Sequence, residues 1–264
     1  MQLRGKASSA LSGSLEIPFF SKVIPGGIGY GLNLLVEFEP HTLWYPASLT
    51  LAAQALRAGV ETDYHTFERF PNEIRKALVA LGLDVKKLEE THALAIIDNY
   101  TAQTGMALPE GLSPMERSLR LSDWSIFFSK AIKPNALPEK DRPGVKGPLV
   151  LHIDDDLSVL GRYNKEVEII DMWRTRVIPY ARVSGAVFMH SILAGTHSES
   201  FYKQMESLCD GIIDFKSEEA EEELRHLMRI RSMRAGRYIS RWQRLQLLDN
   251  GEVTPVDEAA VRNK

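Results

Sequence analysis

Apolar residues in this chain gather in short runs of strand length, separated by stretches with helical spacing. The first run is Leu34-Leu35-Val36, inside a strand expected over 34–40. Residues 48–59 follow, with Leu49, Ala52, Ala55 and Leu56 on one helical face. A second strand is predicted over 60–68. A helix is predicted over 70–82, opened by Pro71 and closed by Gly82. Ala93 to Asp98 is a third apolar run. Residues 101–147 alternate Pro and Gly around one helical patch at 119–132. Leu149-Val150-Leu151-His152-Ile153 then gives a strong buried strand that runs into Asp154-Asp155-Asp156. Beyond it the pattern predicts a helix over 163–180, a strand over 185–190, a helix over 201–208 and a strand over 211–215. Arg-bearing strands and a tight turn at Asp249-Asn250-Gly251-Glu252 close the series. Strands alternating with helices predict an α/β domain with a mostly parallel sheet. The expected organisation is a flexible N-terminus over 1–16, one domain over 17–254 and a frayed end over 255–264. The 101–147 stretch is expected to be an insertion or partner-facing segment.

Composition narrows the function classes. The chain has 264 residues and a formal net charge of −3, so no global basic excess points to nucleic acid. Its single cysteine, Cys209, excludes an intrachain disulfide and a cysteine-rich zinc site. No apolar run has the length of a membrane span, and the first residues lack the pattern of a signal peptide. The expected compartment is the cytoplasm, with no membrane partner.

Chemistry is sought first between the first strand and the first helix. A phosphate-gripping loop there would read G-x-x-x-x-G-K-[ST]. This chain has His41-Thr42-Leu43-Trp44-Tyr45-Pro46-Ala47, with no glycine and no lysine. Glycines let successive backbone N–H groups turn onto phosphates, and bulky residues resist the required positive φ. Trp44, Tyr45 and Leu43 are therefore expected to fill or cover the phosphate space. The cluster from Gly26 to Gly31 precedes the first strand, so it is read as a structural turn. The aspartates 154–156 end a strand where α/β sites gather, and such carboxylates can hold a hard cation. His152, His190 and His197 have no metal-pair spacing and are read as packed histidines. Arginines crowd residues 225–244, next to an acidic run from Glu218 to Glu223 that can screen them; this favours protein contact over DNA.

Four stretches, taken in order, carry a resemblance. They are Gly26-Gly27-Ile28 through Pro40 with Thr50 to Leu56; Thr66-Phe67-Glu68 with Glu73-Ile74-Arg75, Leu81 to Asp84 and Ala95 to Asp98; Leu151 to Leu160; and Cys209 to Ile213 with Arg231-Ser232-Met233-Arg234. In this order the chain resembles the KaiC-like branch of the RecA superfamily of P-loop ATPases, with a degenerate Walker A motif. The resemblance implies a RecA-like three-layer domain with a C-terminal β extension. It implies that Glu68 matches the first of two water-activating glutamates, the second being replaced by Arg69. Asp154 or Asp155 matches the metal-supporting aspartate, and Ser191 a phosphate-sensing position. Arg234 matches an arginine that reaches a neighbouring subunit's nucleotide. The Walker A lysine falls on Trp44 without a gap and on Ser48 with an insertion, which places Thr50 beside the nucleotide position. The reading that follows is a pseudo-ATPase that has lost normal ATP binding and serves as an assembly or regulatory partner, with no cofactor. ATP and Mg²⁺ enter only in the alternative, a divergent ATPase with a non-standard phosphate loop. A recombination-associated DNA-binding accessory is a third reading. Expected partners are a second copy or an intact KaiC-like relative.

Overall fold

A computed structural model describes residues 13–108, 114–125, 149–220 and 223–256. Its centre is a nine-stranded sheet. Two short strands stand apart as an antiparallel pair, β1 (Ser14–Leu15) with β2 (Ile28–Gly29). The sheet contains β3 (Asn33–Phe38), β4 (Glu61–Thr66), β5 (Leu94–Asp98), β6 (Val150–Asp155) and β7 (Val187–Leu193). It continues with β8 (Gly211–Ala220), β9 (Glu223–Met233), β10 (Gln243–Leu247) and β11 (Val253–Val256). The spatial order is β11-β10-β9-β8-β3-β7-β6-β4-β5. From β8 to β5 neighbouring strands are parallel, and β9, β10 and β11 extend the sheet antiparallel. This is the α/β architecture with a C-terminal β extension.

Helices cover both faces. α1 (Trp44–Arg57), α2 (Pro71–Ala80) and α3 (Val85–Glu90) lie on one. α4 joins Glu166–Met172, a π-helical turn at Trp173–Val177 and Ile178–Ser184; with α5 (Glu199–Leu208) it covers the other. The alternation of β3 divides its side chains between these layers. Leu34 and Val36 join the core beneath α1, while Leu35 joins the core beneath α4 and α5. The π turn directly precedes Pro179, whose missing N–H breaks the α-helical hydrogen-bond pattern at that point.

Several boundaries differ from those expected. α1 begins at Trp44, four positions before the expected start at Ser48. Pro46 stands in its first turn, where a helix has no use for that N–H, so Trp44 and Tyr45 are helical residues and not loop residues. α4 starts at Glu166 and reaches Ser184, where Gly185 caps it at φ 80°. β8 runs on to Ala220, which places Glu218 and Glu219 of the acidic run within the strand, where Glu218 faces Arg225. α3 is short and carries few apolar residues, and the sequence pattern did not show it. Of the helical patch expected at 119–132, residues 121–125 are helical and 126–132 lie outside the described residues. Most of residues 1–16 and of the 101–147 segment, and residues 257–264, also lie outside them.

Candidate functional site

The C-terminal ends of β3, β4, β6 and β7 open into a cleft of about 760 Å³. This is where open parallel sheets place their ligands. The loop after β3 bends at His41, which adopts φ 63°, so a left-handed turn survives without a glycine. Trp44 follows at the start of α1. It is 1 % exposed, with its ring centroid 6.3 Å from that of Phe38 and 5.3 Å from that of Phe215. It also lines the cleft floor.

Tyr45, Arg69 and Asp155 form one wall. The Arg69 guanidinium carbon lies 3.6 Å from the centre of the Tyr45 ring, and Nη1 lies 3.4 Å from Asp155 Oδ2. Tyr64 donates its hydroxyl to the same oxygen at 3.0 Å, and Ser48 Oγ lies 2.8 Å behind Tyr64. Burial raises the Asp155 carboxyl above its ordinary range, opposed by Arg69, Tyr64 and the Trp44 indole. Asp156 follows, and the Ser158 N–H donates to its Oδ1 at 2.8 Å. Burial, together with the neighbouring Asp155 charge, pushes Asp156 up to about 7.

Strand alternation turns Asp154 the other way. Its Oδ2 lies 2.6 Å from His190 Nδ1, and His190 Nε2 lies 3.0 Å from Asn33 Oδ1. Burial alone would raise Asp154; the hydrogen bond and charge of His190, with the charge of His65, hold it below the usual range. Burial lowers His152 to about 3, so it stays neutral, stacked 4.1 Å from Phe188.

The facing wall holds Gly161, Arg162, Glu166, Thr196 and His197. Glu166 accepts the Ser198 hydroxyl at 2.5 Å and the Ser198 N–H at 2.8 Å, which holds it below its ordinary range. His197 Nδ1 lies 3.2 Å from Glu166 Oε1. Burial lowers the imidazole against the pull of Glu166, so it is neutral. A carboxylate only accepts, so Nδ1 carries the proton and Nε2 is a bare acceptor. That atom is buried and has no hydrogen-bond partner.

Among the sequence-derived candidates, the structure brings Glu68 and Asp155 to the cleft, with Glu68 exposed at its rim. Ser48 sits behind the wall. Thr50 donates to the Pro46 carbonyl and accepts the Val253 N–H. Ser191 donates to the Asp154 carbonyl at 2.6 Å, tying β7 to β6. Arg234 is exposed beside the Ser207 carbonyl, at the start of β8 and away from the cleft end of the sheet. Asp154 stands in the His190 layer. Trp44 and Tyr45 line the cleft, as expected from the sequence; it also holds Arg69, Glu166 and His197, which sequence reasoning did not place there. Arg69 carried a signal, since it stands where a second glutamate was expected. His197 carried none.

The donor set does not fit a magnesium triphosphate. The first turn of α1 carries Trp44 and Tyr45 and no lysine. Asp155 already faces an arginine, and the lining carries Glu39, Glu68, Asp155, Asp156 and Glu166 against Arg69 and Arg162. Among the described residues no cluster of His, Cys, Asp and Glu is arranged to hold a metal ion, and no helix is long and apolar enough to cross a membrane.

No known family profile matches the sequence, and no curated protein does. The fold does have solved counterparts. A KaiC-like protein of the hyperthermophilic archaeon Pyrococcus horikoshii superposes with a TM-score of 0.65 at 18 % identity, over 91 % of this chain and 96 % of that one. The chain has a KaiC-like, RecA-type fold. At this identity the likeness concerns architecture, and the residues of the cleft speak for themselves.

Proposed function

We propose that this chain is a KaiC-like pseudo-ATPase domain that no longer takes a triphosphate and acts as an assembly or regulatory partner. One observation carries the reading. Arg69, stacked on Tyr45, supplies from within the chain the positive charge beside Asp155 that a bound metal would otherwise supply. A loop without lysine then offers a triphosphate only a short set of backbone donors. Each charge-assisted hydrogen bond that such a loop fails to make weakens binding by roughly 1.5–3 kcal/mol, enough in combination to move a micromolar affinity beyond millimolar.

The assembly role draws on Arg234, which is exposed at the end of the sheet opposite the cleft. The preferred partner is a second copy or an intact KaiC-like relative, with residues 17–254 acting as one unit. A DNA role is disfavoured because Arg229 and Arg231 spend their guanidinium groups on Asp214. Calorimetric titration with ATP, with and without Mg²⁺, tests the central point; a micromolar constant would assign the chain to the divergent-ATPase reading.

A further inference from the structure

The cleft has the wrong sign for a phosphate chain, and its vacant hydrogen-bonding site has the wrong polarity. Its lining holds Glu39, Glu68 and Glu166, with Asp155 and Asp156 that burial shifts toward the neutral acid, against Arg69 and Arg162, and Arg69 already faces Asp155. A polyanion entering this space meets net repulsion, while a cation meets attraction.

A second, independent feature lies on the facing wall. The His197 side chain is 3 % exposed, its Nδ1 faces Glu166, and its Nε2 is an unpartnered acceptor on a cleft-lining residue. An acceptor can be completed only by a donor. Ionised phosphate oxygens only accept and cannot do this; an N–H group can. Gly161 lets the chain pack against the imidazole, for a Cβ there would lie 2.7 Å from His197 Cε1.

The chain itself shows which cation suits the aromatic wall. Arg69 holds its guanidinium over the face of Tyr45 within reach of a carboxylate, the combination of ring face and acid that planar cations favour. We propose that the cleft binds a guanidinium or primary alkylammonium group, which donates to His197 Nε2 and is held electrostatically by Glu39 and Glu68 at the rim. This rests on the reading that the cleft takes no triphosphate. The group belongs either to a small free amine or to a basic side chain of a partner protein, and both share this chemistry.

The test is calorimetry on the full chain at low salt, using agmatine, a capped tripeptide with a central arginine, and sodium pyrophosphate as probes. Agmatine, the peptide or both should bind with one-to-one stoichiometry and weaken with added salt, and pyrophosphate should give no heat. Agmatine binding tighter than the peptide assigns the site to a free amine; the reverse assigns it to a partner side chain. Glu39→Gln with Glu68→Gln, both at exposed positions, should weaken binding about tenfold or more, and His197→Phe should do likewise. No cation binding up to about 10 mM, an affinity worth under 3 kcal/mol, overturns the proposal. So does binding that neither variant changes. ATP binding by the unaltered chain would instead overturn the underlying reading, so the two failures are distinguishable.

Discussion

Arg69 and Asp155 face each other across 3.4 Å at the mouth of the sheet, and the arginine is held in place by the Tyr45 ring beneath it. The pair fixes the character of the cleft, because Asp155 is 4 % exposed at the side chain and has no other cationic partner within salt-bridge distance among the described residues. Arg69→Ala should destabilise the chain by about 1–2 kcal/mol in urea unfolding. That is less than the roughly 3–5 kcal/mol of a fully buried pair, since the arginine is one-third exposed. Arg69→Lys should recover only part, because an ammonium cannot lie flat on the tyrosine.

The buried pair behind it is stricter. Asp154→Ala leaves His190, which is fully buried, without its 2.6 Å partner. The expected cost is about 3–5 kcal/mol, read as a fall in the unfolding midpoint at constant slope. A loss below about 1 kcal/mol would mean that His190 is held by Asn33 and packing alone.

Asp156 gives the chain a pH dependence of defined sign. Its folded carboxyl titrates at about 7, above the ordinary 3.8, so the folded state holds the proton more tightly than the unfolded one. Its contribution is fully present below about 4 and is lost as pH rises through 7, with a limiting slope of about 1.4 kcal/mol per pH unit. Glu37, raised to about 7 by burial against the pull of Arg231, adds in the same direction. Asp156→Asn should therefore flatten the fall in stability between pH 5 and 7, leaving the share due to Glu37. Denaturant midpoints measured across that window decide it.

The guanidinium of Arg231 joins Asp214, Glu206 and Glu37, the last at 2.7 Å, from three different elements. Arg231→Ala should cost about 2–3 kcal/mol and leave any weak DNA retention unchanged, since the group is occupied within the chain. A steeply salt-dependent DNA shift abolished by this substitution would contradict that assignment.

The layer order was legible because strand runs and helical periods alternate cleanly from Leu34 to Phe215, and burial on both faces makes those strands continuous in apolar residues. That the C-terminal extension is made of strands was legible from Met228 and Ile230, which point to the core while Arg229 and Arg231 point away. The start of α1 was not legible. Pro46 and two aromatic rings looked like loop chemistry, but a first helical turn tolerates Pro and the core under Phe38 and Phe215 takes the indole. Three aspartates in a row left the register open until strand alternation separated Asp154 from Asp155. The Arg69–Tyr45 stack and the His197–Glu166 contact join residues 24 and 31 positions apart, so no local pattern could announce them.

Whether this cleft still takes a nucleotide is the central question. Calorimetric titration of the full chain with ATP, from micromolar to millimolar and with and without Mg²⁺, measures that directly. The expected result is no saturable heat tighter than about 1 mM, an affinity near 4 kcal/mol, and no effect of the metal. A Mg²⁺-dependent dissociation constant in the micromolar range would contradict it.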